Sequence, residues 1–236
     1  MLLFYKKITL YESDVKYNMN ENINVKRKLI EATSEIIDTE GIKNVSIRKI
    51  AAKAGYTSGT IYSHFKNFDH LILLSCLRFL RYYNENLKTV VGSPKDSVEE
   101  NFLVWNFFCE CTFKNPEIFY FIFFNSSGFS QNNLEDYYEL KDFYKFFPED
   151  IKDFSSKFYP MLLKLNLKER NKYLILKMVK EKKISPSNVS LLNDNQIFIY
   201  KGYLEKAKEA KTELEQNRIK RSCIRSLKIL YKAYLY

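Results

Sequence analysis

Glycine and proline are scarce, with 6 Gly and 5 Pro in 236 residues. Sandwiches, barrels and glycine-rich nucleotide folds consume many special turns, so this scarcity argues against them and favours a mostly helical chain. Cysteine is equally sparse. Cys76, Cys109, Cys111 and Cys223 have no disulfide-framework spacing and read as reduced thiols of a cytoplasmic protein. The sequence has only two histidines, and His64, His70 and Cys76 stand six apart, which does not put ligands on one helical face; no metal or cofactor is expected. Long apolar runs are missing. The least charged stretch, Ile118 to Leu134, is half filled by polar Asn125–Asn133, so no membrane span is expected. At the N-terminus the apolar patch Leu2–Tyr5 precedes Lys6 and Lys7, the reverse of a secretory signal. No nucleophile with a base and an orienting group, and no phosphate-cradling glycine loop, marks the chain as an enzyme.

What the chain does hold is positive charge and large rings. The net charge is +10, with 18 Tyr, 19 Phe and one Trp. The charge is uneven: residues 92–160 carry −6 and residues 161–236 carry +11. A basic total hints at a polyanionic partner but does not locate it.

Periodicity predicts an all-α chain in three parts. Residues 1–21 have no sustained period and are expected to form a flexible N-terminal arm, with Met19 a candidate start. Residues 22–68 read as three short helices. In the first, Val25, Leu29, Ala32, Thr33 and Ile36 form one apolar stripe, with Asn24 as its cap and Gly41 in a left-handed position at its end. Ser46 should cap the second, with Ile47, Ile50, Ala51 and Ala54 inward and Gly55 closing it. Thr57 should cap the third, with Ile61 and Phe65 inward. Residues 69–236 read as a larger helical domain. A long helix capped by Asn67 runs through Tyr83, and Ser93-Pro94 opens another bearing Trp105 and Phe108. Asn115-Pro116 starts a short apolar helix, breaks fall near Pro148 and Asn166, and two long amphipathic helices span about 190–211 and 213–235. The acidic run at 135–153 reads as a solvated face.

The informative segment is 46–65, Ser-Ile-Arg-Lys-Ile-Ala-Ala-Lys-Ala-Gly-Tyr-Thr-Ser-Gly-Thr-Ile-Tyr-Ser-His-Phe. It is a helix, a tight turn and a second helix within twenty residues. The small Ala51 permits a close crossing. The second helix turns small polar and aromatic groups outward, which suits a recognition helix in a major groove. Lys26, Arg27, Lys28, Arg48, Lys49, Lys53 and Lys66 surround it and can meet phosphates.

Residues 24–72 resemble the N-terminal domain of TetR/AcrR-type transcriptional regulators. The resemblance rests on Ser46–Gly55 and on Thr60-Ile-Tyr-Ser-His-Phe-Lys-Asn67, and covers about a fifth of the chain. It implies that Ser46 and Arg48 hold phosphate and that Thr57, Ser58, Gly59, Thr60 and Ser63 lie along the groove of double-stranded DNA. Ser58 and Ser63 would reach base edges. Tyr62, His64 and Lys66 would meet the backbone. Phe68 stands where the family usually has Lys, which removes one expected phosphate contact.

The aromatic middle of the chain reads either as a dry core or as a pocket. In the resembled family this region holds an inducer, which implies an apolar or aromatic small-molecule ligand, with Trp105, Phe108, Tyr120 and Tyr144 as candidate lining. An enclosed cavity above roughly 300 Å³ would favour the pocket. The last two helices each carry two apolar sets: Leu192, Ile199, Tyr203 and Ile197, Tyr200, Leu204 on one; Ile224, Leu227, Tyr231, Tyr234 and Ile219, Cys223, Leu230 on the other. A four-helix homodimer contact accounts for the second faces. The expected function is that of a homodimeric repressor on a palindromic operator, released by a ligand. The alternative is a helix-turn-helix protein of the same superfamily without a ligand, such as a division or nucleoid factor.

Overall fold

The computed structural model of the protein describes residues 22–125, 140–141, 143–150 and 157–235. The expected arm at 1–21, the loop beyond Asn125 and five of the seven acids of the run at 135–153 lie outside the described residues. No strand occurs among the described residues. The chain divides into two units, one reaching Ser75 and taking in Lys145–Phe147, the other starting at Cys76.

The first unit is built on three short helices and the start of a fourth. Helix α1 covers 22–40, so Asn24 lies inside it rather than capping it. Its stripe is wider than the expected one: Ile30 and Ile37 are buried beside Leu29, Ala32, Thr33 and Ile36. Gly41 does take a positive φ, 85°, but with ψ at 155°, so the chain leaves α1 extended and then makes one 3-10 turn, Ile42–Asn44. Helix α2 is Ile47–Ala54. The Ser46 hydroxyl accepts from the Lys49 N–H, and Gly55 closes the helix in the left-handed region (φ 74°, ψ 31°), a conformation that costs glycine nothing. Helix α3 is Ser58–His64, where the Thr57 side chain accepts from the Thr60 N–H. Helix α4, Phe68–Leu77, opens with Asn67 Oδ1 accepting from the His70 N–H at 2.8 Å and with Asp69 at the positive end of the dipole. Ile50, Ala51, Ile61, Phe65 and Leu71 are buried with the α1 stripe.

In the second unit the long helix expected from Asn67 onward is interrupted. A 3-10 turn at Arg78–Leu80 separates α4 from α5, Arg81–Val91. Residues three apart eclipse in a 3-10 turn, and here Arg78 and Arg81 both reach Asp150, at 3.1 and 3.7 Å. Asp150 is 1% exposed, so this member of the acidic run belongs to the interior and not to a solvated face. Helix α6 is Ser97–Thr112. Its cap is Asp96, which accepts from the Glu99 N–H at 2.9 Å while Glu99 reaches back to the Lys95 N–H at 2.7 Å. That reciprocal pair displaces the Ser93-Pro94 start expected from sequence.

Helices α7 (Pro116–Tyr120), α8 (Tyr159–Leu162), α9 (Leu167–Lys180), α10 (Val189–Lys208) and α11 (Glu213–Tyr234) follow, with a π-helical turn at Phe121–Asn125 and 3-10 turns at Pro148–Asp150 and Pro186–Asn188. Asn166 and Thr212 cap α9 and α11 through their side chains. Helix α6 packs against α5, α9 and α11, which explains why it buries most of its circumference. A polar seam ties these helices together. Trp105 Nε1 donates to Asn171 Oδ1 at 2.7 Å, and Asn171 Nδ2 donates to Asn193 and Gln196 at 2.9 and 2.8 Å. Gln196 Nε2 donates to the Tyr231 hydroxyl at 2.6 Å, and that hydroxyl donates to Asn101. Ile175, Met178, Ile184, Leu192 and Tyr231 form an apolar cluster beside it. The two apolar sets expected on each of the last helices are therefore partitioned differently. Leu192 joins Ile197, Tyr200 and Leu204 in the core, and Leu227 and Tyr231 join Ile219 and Cys223. The buried positions on α11 step by four, so the buried stripe winds slowly around the helix instead of following the expected mixed spacing.

Acids of the middle segment meet bases that lie mostly in the last third. Glu100 pairs with Lys157 and Lys177 at 2.5 and 2.6 Å, Asp96 with Lys183 at 3.2 Å and Glu110 with Lys220 at 2.5 Å. Burial pushes the Glu100 carboxyl up, but the two lysines outweigh it and hold it below its ordinary 4.5. A depressed carboxylate contributes stability that is present above its unfolded value and is lost as pH falls through the folded one. Glu100→Gln is expected to cost about 1–2 kcal/mol at pH 7 in urea denaturation, with the difference from wild type shrinking below about pH 4. An unchanged difference at pH 3 would show that the charge is not what matters.

Candidate nucleic-acid interface

Helix α3 is held from one side only. Ile61 is 1% exposed and Phe65 is 5% exposed, whereas Tyr62 is 61% exposed. Ser58, Gly59 and Ser63 are exposed with it, Thr60 is half-buried, and Thr57 is exposed at the cap. The small hydroxyls bond only to their own turn: Ser63 Oγ donates to the Thr60 carbonyl at 2.8 Å, and the Thr57 and Thr60 hydroxyls lie 3.1 Å apart. The outer face of α3 therefore carries groups that do nothing for the interior. Gly59 is part of it, since a Cβ there would meet only Thr57 Oγ1, at an ordinary 3.7 Å.

The surrounding groups divide in two. Arg48 is exposed on α2, and Lys28 is exposed on α1. Lys49 is engaged by Glu40 at 2.5 Å, Lys53 by Glu35 at 2.7 Å and Arg27 by Glu31 at 3.0 Å, so these three do not present the open charges expected of them. Lys26 lies over the Phe146 ring, 5.7 Å from its centroid. Ser46 is half-buried and spends its hydroxyl on the cap of α2. His64 is half-buried, and its Nδ1 lies 3.2 Å from Asn22 Oδ1. Burial and then Lys26 hold its pKa below the ordinary 6.5, so the neutral imidazole prevails at pH 7, with the Nδ1–H donating to Asn22 Oδ1. Lys66 is exposed just past α3, and its backbone N–H donates to His70 Nδ1 at 3.2 Å. Phe68, in the place of the expected Lys, is half-buried as the first residue of α4.

The helical unit holds a small cavity of about 20 Å³, lined by Tyr83, Val104, Trp105, Phe108, Arg170 and Leu174 among others. It is far below the size that favours a ligand pocket. Trp105 and Phe108 are on its wall and belong to a ring cluster around the buried Tyr200, at 5.5 and 5.2 Å between centroids. The other two candidates are placed elsewhere. Tyr120 is half-buried, donates to Glu205 at 3.2 Å and lies under Lys208. Tyr144 is buried and accepts from Asn84 Nδ2 at 3.3 Å. The wall residue that the sequence reading missed is Arg170, one cation among many in a basic segment. The four cysteines are buried and unpaired, and burial raises the Cys109 and Cys111 thiols, the latter to about 12. Among the described residues no group of three or more His, Cys, Asp or Glu could hold a metal ion, and no helix is long and apolar enough to cross a membrane.

Residues 29–73 match the family model for bacterial regulatory proteins of the tetR family. Over 116 residues the chain is 29% identical to an uncharacterized HTH-type transcriptional regulator of Haemophilus influenzae, a match covering 49% of this chain and 56% of that one. The chain thus spans about half the length of that curated relative. Among solved structures it is similar to RolR in complex with resorcinol, with a TM-score of 0.58 at 12% identity over 91% of this chain and 94% of that one. It is also similar to a TetR transcription regulator from Haloarcula marismortui, with a TM-score of 0.54 at 14% identity over 90% of this chain and 99% of that one. Residues 29–73 thus match the helix-turn-helix of the tetR family, and along nine-tenths of its sequence the chain has the fold of TetR-type regulators.

Proposed function

We propose that the protein is a DNA-binding regulator of transcription, a homodimeric repressor that a small ligand releases from a palindromic operator. The observation that carries this is the outer face of α3, with Tyr62 exposed and Ser58, Gly59 and Ser63 beside it, none of them needed inside. Such a face fits a major groove. Arg48, Tyr62, His64 and Lys66 position it on phosphates, and Ser58 and Ser63 read base edges. In a dimer, two such helices enter successive grooves about 34–36 Å apart, which makes the operator palindromic.

Dimerisation is assigned to α10 and α11. Leu191 and Phe198, seven apart on α10, are 55% and 63% exposed, and Ile229 on α11 is 59% exposed. These side chains are the apolar groups left over once the core sets are placed, and they suit a four-helix contact with a second copy. A ligand in the helical unit lowers DNA affinity only as far as it prefers the state with wrongly spaced recognition helices. The resorcinol complex of RolR supports an aromatic ligand for this fold. A ligand-free protein of the same superfamily is the second reading, favoured by the small size of the cavity.

Three outcomes test this. In anisotropy titrations against duplexes selected from a random pool, Tyr62→Ala and Lys66→Ala weaken binding to every duplex, and Lys66→Ala also flattens the salt slope by about 1. Ser58→Ala instead alters which sequence is preferred; Tyr62→Ala binding as well as wild type would contradict the docking. Gly59→Ala is expected to leave stability equal or up to about 1 kcal/mol higher in urea melts while lowering DNA affinity. A loss of stability there would mean that Gly59 serves the fold. Phe198→Glu is expected to sediment as a monomer with its helical circular dichroism retained, and an intact dimer would place the interface elsewhere.

A further inference from the structure

Helix α11 has two unlike faces. Ile219, Cys223, Leu227 and Tyr231 are buried on one. Arg218, Arg221, Arg225, Lys228 and Lys232 are exposed on the other. Their spacing is three, four, three and four residues. At 3.6 residues per turn they fall within about 80° of the circumference and form one stripe roughly 21 Å long. The acids of the helix, Glu213 and Glu215, stand in its first turn, and no acid follows them on α11.

Neighbouring helices do not balance the stripe. On α6, Glu110 is engaged by Lys220, which lies off the stripe, and Glu100 by Lys157 and Lys177. On α10, Asp194 pairs with Lys168, and Glu205 accepts from the Tyr120 hydroxyl. Among the described residues no carboxylate pairs with any of the five cations. Arg221 Nε donates to the Asn217 carbonyl of its own helix at 3.3 Å, and the Lys228 ammonium lies over the Phe102 ring, 5.7 Å from its centroid. Like charges three and four apart destabilise a helix, so the stripe is a cost to the fold that a line of negative charge relieves.

Duplex DNA is such a line, with phosphates closely and regularly spaced along a rod. Three of the five cations are arginines, whose forks match phosphate oxygens. A single strand would need exposed rings to stack its bases, and the tyrosines of this part of α11, Tyr231 and Tyr234, are buried and half-buried. A lipid surface takes an amphipathic helix by its apolar face, and that face of α11 is turned into the core.

We propose that the stripe from Arg218 to Lys232 is a second duplex-binding surface, one that holds phosphates by charge and reads no sequence. It does not depend on α3. Ile229, assigned above to the dimer contact, lies at its edge, and Arg221, Lys228 and Lys232 are about 60° or more from Ile229 around the helix.

The test is an anisotropy titration of the full-length protein with a duplex of arbitrary sequence at several salt concentrations. Replacing Arg221, Lys228 and Lys232 together by Gln should lower the salt slope by about 3 and weaken binding at low salt ~10-fold or more. Replacing Lys172, Lys180 and Lys206 by Gln removes as much exposed charge from α9 and α10 and should leave both nearly unchanged. Arg221→Lys should keep the slope. If the triple variant does not fold, Lys232→Gln alone should lower the slope by about 1. With Tyr62→Ala and Lys66→Ala in the same chain, the stripe should still hold the duplex. Loss of all duplex binding in that chain would give DNA to α3 alone and overturn the assignment, leaving the α3 reading intact. An unchanged slope in the α11 variants, or an equal loss in the α9 and α10 variant, would also overturn it. So would loss of binding to phosphatidylglycerol vesicles with duplex binding unchanged, which would make the stripe a lipid surface.

Discussion

Burial of Ile61 and Phe65 is the constraint from which the rest follows. A helix of seven residues is too short to be stable alone, so α3 exists because these two side chains are drawn into the core that α1 and α2 provide. Gly55 makes the turn that brings them there, and Ala51 leaves room at the crossing. Once Ile61 and Phe65 point inward, the 3.6-residue period sends Ser58, Gly59, Tyr62 and Ser63 outward. The surface proposed to face DNA is thus a consequence of the core rather than a separate construction.

Charge takes a different course from the one its total suggests. The excess of +11 in residues 161–236 lies in the helical unit, where Glu100, Glu110 and Asp96 from the acidic middle segment bind Lys177, Lys220 and Lys183. Around α3, three of the seven surrounding cations are taken up by glutamates of α1. Lys28, Arg48 and Lys66 are the cations left exposed there. Net charge alone would have placed the proposed nucleic-acid surface at the other end of the chain.

The parts of the fold set by local rules were legible. Ser46, Thr57 and Asn67 cap the helices that their types and positions predict, and Gly55 adopts the left-handed turn. The parts set by distant partners were not. The 3-10 turn at 78–80 answers to Asp150, some seventy residues away, and nothing near Arg78 signals it. Asp96 displaces Ser93 because Glu99 completes a reciprocal cap. Asn101, Asn171 and Gln196 look like surface residues until their side chains are seen to satisfy one another. Of the four rings picked as ligand lining, Trp105 and Phe108 reach the cavity, and Tyr120 and Tyr144 do not. Aromatic content is visible in a sequence, but which rings border a void depends on how helices from four parts of the chain pack. Arg170 was hidden for the same reason, since among so many cations only burial distinguishes it.

The central claim is that α3 reads a DNA sequence from a dimer. The most direct measurement is selection of duplexes from a random-sequence pool by the full-length protein at physiological salt, followed by sequencing of the bound fraction. The account predicts enrichment of one palindromic motif with half-sites about one helical turn apart, bound more weakly as salt rises. Retention of duplexes without sequence enrichment, or no retention at any salt concentration, would contradict it.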